Sequence, residues 1–180
     1  MASQRRTVVK TFKDSPVGSY FDPAQKLVEE NYPYDVAIAY MFARLERAQR
    51  DALAYGAIKL HHLDGKMTSD AISRLDITRS SFHEHFKTVF GKALGKKLQD
   101  KIKHAETVRD TILHGKLPSQ ADKRQAICDI LEYFEGFRNR IQEIAKFDLA
   151  GDMRGFTGAK AKLDRKITGW MLKGMGLSHS

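Results

Sequence analysis

The chain has 180 residues, 42% hydrophobic and 29% charged, which suits one globular domain with a sizeable core. Lysine and arginine outnumber aspartate and glutamate 31 to 22, and the net charge of +9 excludes an acidic tail or a low-hydrophobicity disordered chain. No apolar run approaches the ~18 residues of a membrane span, and a single cysteine, Cys128, excludes a disulfide scaffold or cysteine-rich zinc module. The opening MASQRRTVVK has basic residues but no apolar signal core, so a soluble, cytoplasmic protein with no membrane partner is expected.

Residues 1–33 contain the breakers Pro16, Gly18, Pro23 and Pro33, which predict an N-terminal arm with one short helix over 23–31. Ile38, Met41/Phe42, Leu45, Ala48, Ala52 and Tyr55 recur at three and four. They predict a long amphipathic helix from Tyr34 to about Leu60, with Asp35 near its start. His62-Leu-Asp-Gly65 reads as a stop. Thr68 and Thr78 are N-cap candidates for short helices over 69–75 and 79–89, the second ended by Gly91. Leu98, Ile102, Ala105, Val108 and Ile112 mark a further helix, closed by Gly115 and Pro118. The cleanest stripe is Ile127, Ile130/Leu131, Phe134, Phe137, Ile141 and Ile144, over about 120–147. Gly151, Gly155 and Gly158 mark a loop, and Leu163, Ile167 and Trp170/Met171 the apolar face of a last helix. No segment alternates as a strand does. The sequence therefore predicts an all-α helical bundle. Its parts are the arm (1–33), a core (34–150) with inserted short helices at 66–91, and a basic C-terminal helix and tail (151–180).

The positive charge falls in three runs. Residues 1–13 carry Arg5, Arg6, Lys10 and Lys13 with no acid. Residues 92–116 carry Lys92, Lys96, Lys97, Lys101, Lys103, Arg109 and Lys116 against Asp100, Glu106 and Asp110. Residues 152–173 carry Arg154, Lys160, Lys162, Arg165, Lys166 and Lys173 against Asp152 and Asp164. Any one run reads as a solvated face. Together they point to a polyanion, because phosphate neutralisation supplies most non-specific nucleic-acid affinity.

Most catalytic signatures are missing. Gly91-Lys-Ala-Leu-Gly-Lys-Lys97 lacks the spacing of a phosphate-binding loop, and neither Gly-x-Ser-x-Gly nor His-Glu-x-x-His occurs. His61-His62 and His83-Glu-His85 put their imidazoles on different helix faces, whereas a helical metal pair needs i,i+3 or i,i+4. No metal or other cofactor is expected, and Cys128 beside the apolar stripe reads as a small buried hydrophobe.

One segment stands apart: Ala105-Glu-Thr-Val-Arg109-Asp110-Thr-Ile-Leu-His114-Gly115. Arg109 reads either as a surface residue or as a phosphate-holding guanidinium. His114 reads either as a C-terminal capping residue favoured by the helix dipole or as a proton-transfer group. On a regular helix five steps separate the two side chains by about 140° and roughly 7.5 Å along the axis. A single helix face cannot present both. Fraying at Gly115, or a second copy across a dimer, would be needed.

Arg109-Asp110-Thr-Ile-Leu-His114-Gly115 resembles the Arg-polar-x-x-x-His signature of the HEPN superfamily, helical domains of many toxin, abortive-infection and CRISPR-associated ribonucleases. In that family an acid-bearing long helix precedes the signature, as Phe42-Ala-Arg-Leu-Glu46-Arg-Ala does here. The resemblance covers about 34–62 and 98–145. It implies an antiparallel four-helix core, a homodimer with facing motifs, and metal-independent endoribonuclease activity. Arg109 would steady the phosphate and His114 would activate the ribose 2′-hydroxyl or protonate the leaving oxygen, with Asp110 and Glu46 in support. Lys96, Lys97, Lys101, Lys103 and Lys116 would hold RNA. A role as toxin or phage-defence effector, with a cognate antitoxin as partner, follows from the same resemblance. Residues 63–97 exceed a minimal four-helix version.

That excess supplies the rival reading. Ile72-Ser-Arg-Leu75-Asp76-Ile77-Thr78-Arg79-Ser-Ser-Phe82 resembles a helix-turn-helix, with Ile72, Ile77 and Phe82 packed inside. Thr78 would cap a recognition helix offering Arg79, Ser80, Ser81, His83 and Lys87 to DNA. Asp76 stands where the turn usually has glycine. On this reading the protein is a non-enzymatic DNA-binding regulator or a nucleic-acid-binding scaffold.

Overall fold

The computed structural model describes residues 2–151 and 162–177. Among them the regular structure is helical, with no strand, so the fold is an all-α helical bundle as the periodicity predicts. The helices are α1 (Ala2–Asp14), α2 (Asp22–Glu29), α3 (Tyr34–His61), α4 (Gly65–Ser73), α5 (Arg79–Phe90), α6 (Lys96–Leu113), α7 (Gln120–Ala145) and α8 (Arg165–Gly174), with a 3-10 turn at Gly18–Phe21. Met1–Glu46 with Gly95–Arg138 form one compact unit, and Arg47–Leu94 with Asn139–Ser180 form another.

In the first unit the N-terminal residues are more than an arm. The helix expected at 23–31 is α2, but α1 and the 3-10 turn precede it, and all three contribute to the core. The four cations of α1 hide a second pattern. Val8 and Phe12, four residues apart, lie on one face and are almost wholly buried. Val17, Phe21, Ala24 and Val28 continue that apolar surface, and each buried valine or phenylalanine adds roughly 1.5–3 kcal/mol. Tyr20 stacks on Phe134 with centroids 4.4 Å apart, and the Arg44 guanidinium lies 4.2 Å from its ring centroid. Gly18 makes the entering turn feasible, because a Cβ there would stand 1.9 Å from the Phe12 carbonyl oxygen.

Helices α6 and α7 run antiparallel. Lys101 pairs with Glu132 at 2.6 Å, and His104 Nδ1 lies 2.7 Å from Asp129 Oδ2. The starts of α3 and α7 are joined by Asp35 and Lys123, whose Oδ1–Nζ distance is 2.6 Å. The Lys123 side chain is only 5% exposed and that of Asp35 28%, so the ammonium sits largely out of water beside a half-buried carboxylate.

In the second unit α3 continues to His61, and His62 leaves the helix at φ +59°. Asp64, not Thr68, caps the next helix: its Oδ1 accepts from the Met67 amide at 2.8 Å. Thr68 therefore falls inside α4 and is buried. Thr78 caps α5 as expected, accepting from the Ser81 amide at 3.2 Å, and Gly91 closes that helix in the left-handed conformation. Phe82 and Phe86 are buried within it.

Helix α8 turns a different face inward from the one its sequence suggests. Thr168 and Leu172 are buried, whereas Ile167 and Trp170 are 38% and 64% exposed. The reason is polar: Thr168 Oγ1 accepts from the Asp64 amide at 2.9 Å, which fixes the rotation of α8. Gly155 and Gly158 of the expected loop, with Arg154 and Lys160, lie outside the described residues. Among the described residues no helix is long and apolar enough to cross a membrane.

Candidate active site

Helix α6 seats its Ile102, Ala105 and Val108 in the core of the first unit, which fixes where the next residue points. Arg109 is half-buried, with its guanidinium carbon 4.9 Å from the centroid of the Phe42 ring. Its Nη1 donates to Glu46 Oε1 at 3.1 Å, and its Nε lies 3.4 Å from Asp110 Oδ1. Phe42 and Glu46 are four residues apart on α3, so one face of that helix supplies both the platform and the counter-charge. The structure thus brings Arg109, Glu46 and Asp110 together. Arginine carries five N–H donors, and Nη2 of Arg109 makes no hydrogen bond among the described residues.

His114 is the C-cap of α6 and is exposed. Lys116 N donates to Thr111 O and Gly115 N to Ile112 O, both at 3.0 Å, while Gly115 has φ +72°. This is a Schellman closure, and it places the imidazole just beyond the last helical turn. Leu113 and Leu117 beside it are exposed at 67% and 88%. Among the described residues the His114 side chain makes no hydrogen bond or ion pair, and Arg109 is held by α3 instead. A Cβ on Gly115 would meet nothing within 4 Å, so only backbone strain opposes one. Gly115→Ala should therefore cost about 1–2 kcal/mol, read as a lower melting temperature without loss of helicity at 25 °C.

The lysines divide. Lys96, Lys97 and Lys116 are exposed, whereas Lys101 pairs with Glu132 and Lys103 with Asp100. That contact holds the Asp100 carboxyl below the usual carboxylate range. In the second unit α4 and α5 form as two short helices. Ile72 and Phe82 are buried, Ile77 is half-buried, and Lys87 is exposed. Thr78 engages the hydroxyls of both Ser80 and Ser81, at 3.2 and 3.1 Å. The Arg79 side chain lies outside the described atoms.

One histidine escapes the sequence. His104 on α6 is oriented by Asp129, which in turn accepts from Gln125 Nε2 at 2.8 Å. His104 Nε2 stands 3.9 Å from Asp122 Oδ1. The Ser119 hydroxyl donates to Asp122 at 2.7 Å and holds that carboxyl below its ordinary range. Asp129 is 25 residues away on another helix, so no local spacing signals the contact. Burial pushes the Cys128 thiol up, which suits a structural rather than a nucleophilic role. Among the described residues no three histidine, cysteine, aspartate or glutamate side chains converge as a metal site.

Comparison with protein-family models, with curated proteins and with solved structures finds no match to this chain.

Proposed function

We propose that the chain is a metal-independent endoribonuclease of the HEPN type, acting as a homodimer and cleaving RNA by attack of the ribose 2′-hydroxyl. The observation that carries this reading is Arg109, fixed over Phe42 by Glu46, five residues from the exposed His114, with neither Arg109 Nη2 nor the His114 imidazole engaged among the described residues. A guanidinium held in place loses less entropy on gripping a phosphate than a free surface arginine does.

In the reaction one imidazole removes the 2′-hydroxyl proton as the O2′–P bond forms. The P–O5′ bond breaks, and O5′ takes a proton from an imidazolium. Arg109 donates to the phosphate oxygens as charge builds on them. One His114 cannot be base and acid in the same step, and a two-fold dimer supplies a second. The exposed Leu113 and Leu117 around His114 are apolar surface that such an interface would cover. A toxin or phage-defence role, with a cognate antitoxin, belongs to this reading.

The test is RNA and DNA of one sequence incubated with the protein in EDTA, with its mass measured by light scattering. Cleavage of RNA alone by a dimer is expected. Equal cutting of DNA, or a strict monomer at tens of micromolar, would overturn the reading. Salt gives an independent check. Four phosphate contacts from Lys96, Lys97, Lys116 and Arg109 to single-stranded RNA predict that affinity falls roughly 50-fold between about 50 and 200 mM salt. A flat response would remove the polyanion from the account.

A second reading rests on α4 and α5, whose capped start at Thr78 and exposed Lys87 suit a helix presented to DNA. On that reading Lys87→Glu would weaken duplex DNA binding, and RNA would not be cut.

A further inference from the structure

The groove between α1 and α2 is open to solvent and has a volume of about 510 Å³, within the range of small-ligand sites, and no part of it belongs to the Arg109 site. Its α1 wall is built by helical spacing. Arg6, Lys10 and Asp14 follow one another at four-residue steps, and Arg5, Val9 and Lys13 form the parallel row beside them. The second row is largely committed. Arg5 Nη1 donates to Val28 O at 3.3 Å and Tyr32 O at 3.0 Å, and Lys13 faces Glu29 at 3.5 Å. Arg6 and Lys10 have no partner among the described residues, and they stand one turn apart on the rim. Val9 gives the groove an apolar wall above the buried Val28, and the Asn31 carboxamide adds a donor and an acceptor that make no hydrogen bond among the described residues.

We propose that this groove binds a nucleotide through its phosphate, with Arg6 and Lys10 on the phosphate oxygens and the base against Val9. Two unpaired cations a turn apart suit a doubly charged phosphate better than a single carboxylate. The Asp14 carboxylate beyond Lys10 turns the phosphate toward Arg6. The Asn31 carboxamide can pair with the edge of a base, which an alkyl chain would leave unsatisfied. The same chemistry has two sources, a free nucleotide or the 5′-phosphorylated end of an RNA.

Calorimetry with AMP, adenosine, inorganic phosphate and short RNAs with and without a 5′-phosphate separates the possibilities. The full-length His114→Ala variant keeps any cleavage from confusing the readout. AMP should bind at least about tenfold more tightly than adenosine or phosphate alone, and Arg6→Glu and Lys10→Glu should each remove at least about tenfold of that affinity. Both side chains are exposed, so circular dichroism should show unchanged helicity. A tenfold preference for 5′-phosphorylated over 5′-hydroxyl RNA, lost in the same variants, would assign the site to RNA ends. Binding of AMP without that preference would assign it to free nucleotide. No binding of AMP or of the phosphorylated end, or binding unchanged by both variants, would overturn the proposal. Loss of ribonuclease activity alone would leave these affinities untouched, so the two readings fail separately.

Discussion

His114→Ala and Arg109→Ala should each lower RNA cleavage by about 10²–10⁴-fold with helicity nearly unchanged; RNA affinity should hold in His114→Ala and weaken in Arg109→Ala, which loses one phosphate contact. His114 is exposed at the cap of α6 and makes no side-chain bond among the described residues, so its loss removes chemistry and little stability. Arg109 differs, because it also covers Phe42 and neutralises Glu46. Its replacement by alanine should therefore lower the melting temperature as well. Arg109→Lys separates the two effects. It keeps the charge near Glu46 but loses the planar fork, so stability should return while most of the cleavage rate does not. Glu46→Gln should act through Arg109 alone, as a positioning residue: the guanidinium loses its charged anchor, and the rate should fall by less than in Arg109→Ala. Wild-type cleavage by His114→Ala would remove that imidazole from the mechanism.

Asp35→Ala should destabilise the first unit by about 3–5 kcal/mol, the largest stability effect expected of one polar substitution here. Asp35 sits 2.6 Å from a lysine whose side chain is 5% exposed, and removing it strands an ammonium away from water. Denaturant unfolding of the single and double variants measures this. Asp35→Ala with Lys123→Met should recover most of the loss, since no unpaired ammonium then remains buried. A single variant as stable as wild type would show that Lys123 reaches solvent by another route.

The helices that carry the Arg109 segment were legible because they are long and strongly periodic. The stripes Ile102–Ala105–Val108 and Ile127–Phe134–Phe137–Ile141 are buried where their spacing puts them. The N-terminal helices were not, because four cations and three prolines mask a face as narrow as Val8 and Phe12. Thr68 and the buried face of α8 depart from the sequence periodicity for one reason. The Asp64 side chain starts α4 one turn early, and its backbone amide fixes α8 through Thr168. Both are long-range or competing polar contacts that periodicity does not contain. At the candidate site, Arg109 and His114 stand out by spacing and Glu46 by its place on the preceding helix. Phe42 reads only as core, and the His104–Asp129 contact joins two helices with no local mark.

The most direct measurement uses one RNA in two forms, all-ribose and with a single 2′-deoxy substitution at the mapped cut site, each with excess EDTA. The ribose form should be cut to a 2′,3′-cyclic phosphate and a 5′-hydroxyl end, because the 2′-oxygen is the nucleophile and proximity supplies much of the rate. The substituted form should stay intact at that position. Equal cutting of both forms, or products with a 5′-phosphate, would contradict attack by the 2′-hydroxyl and with it the roles given to Arg109 and His114.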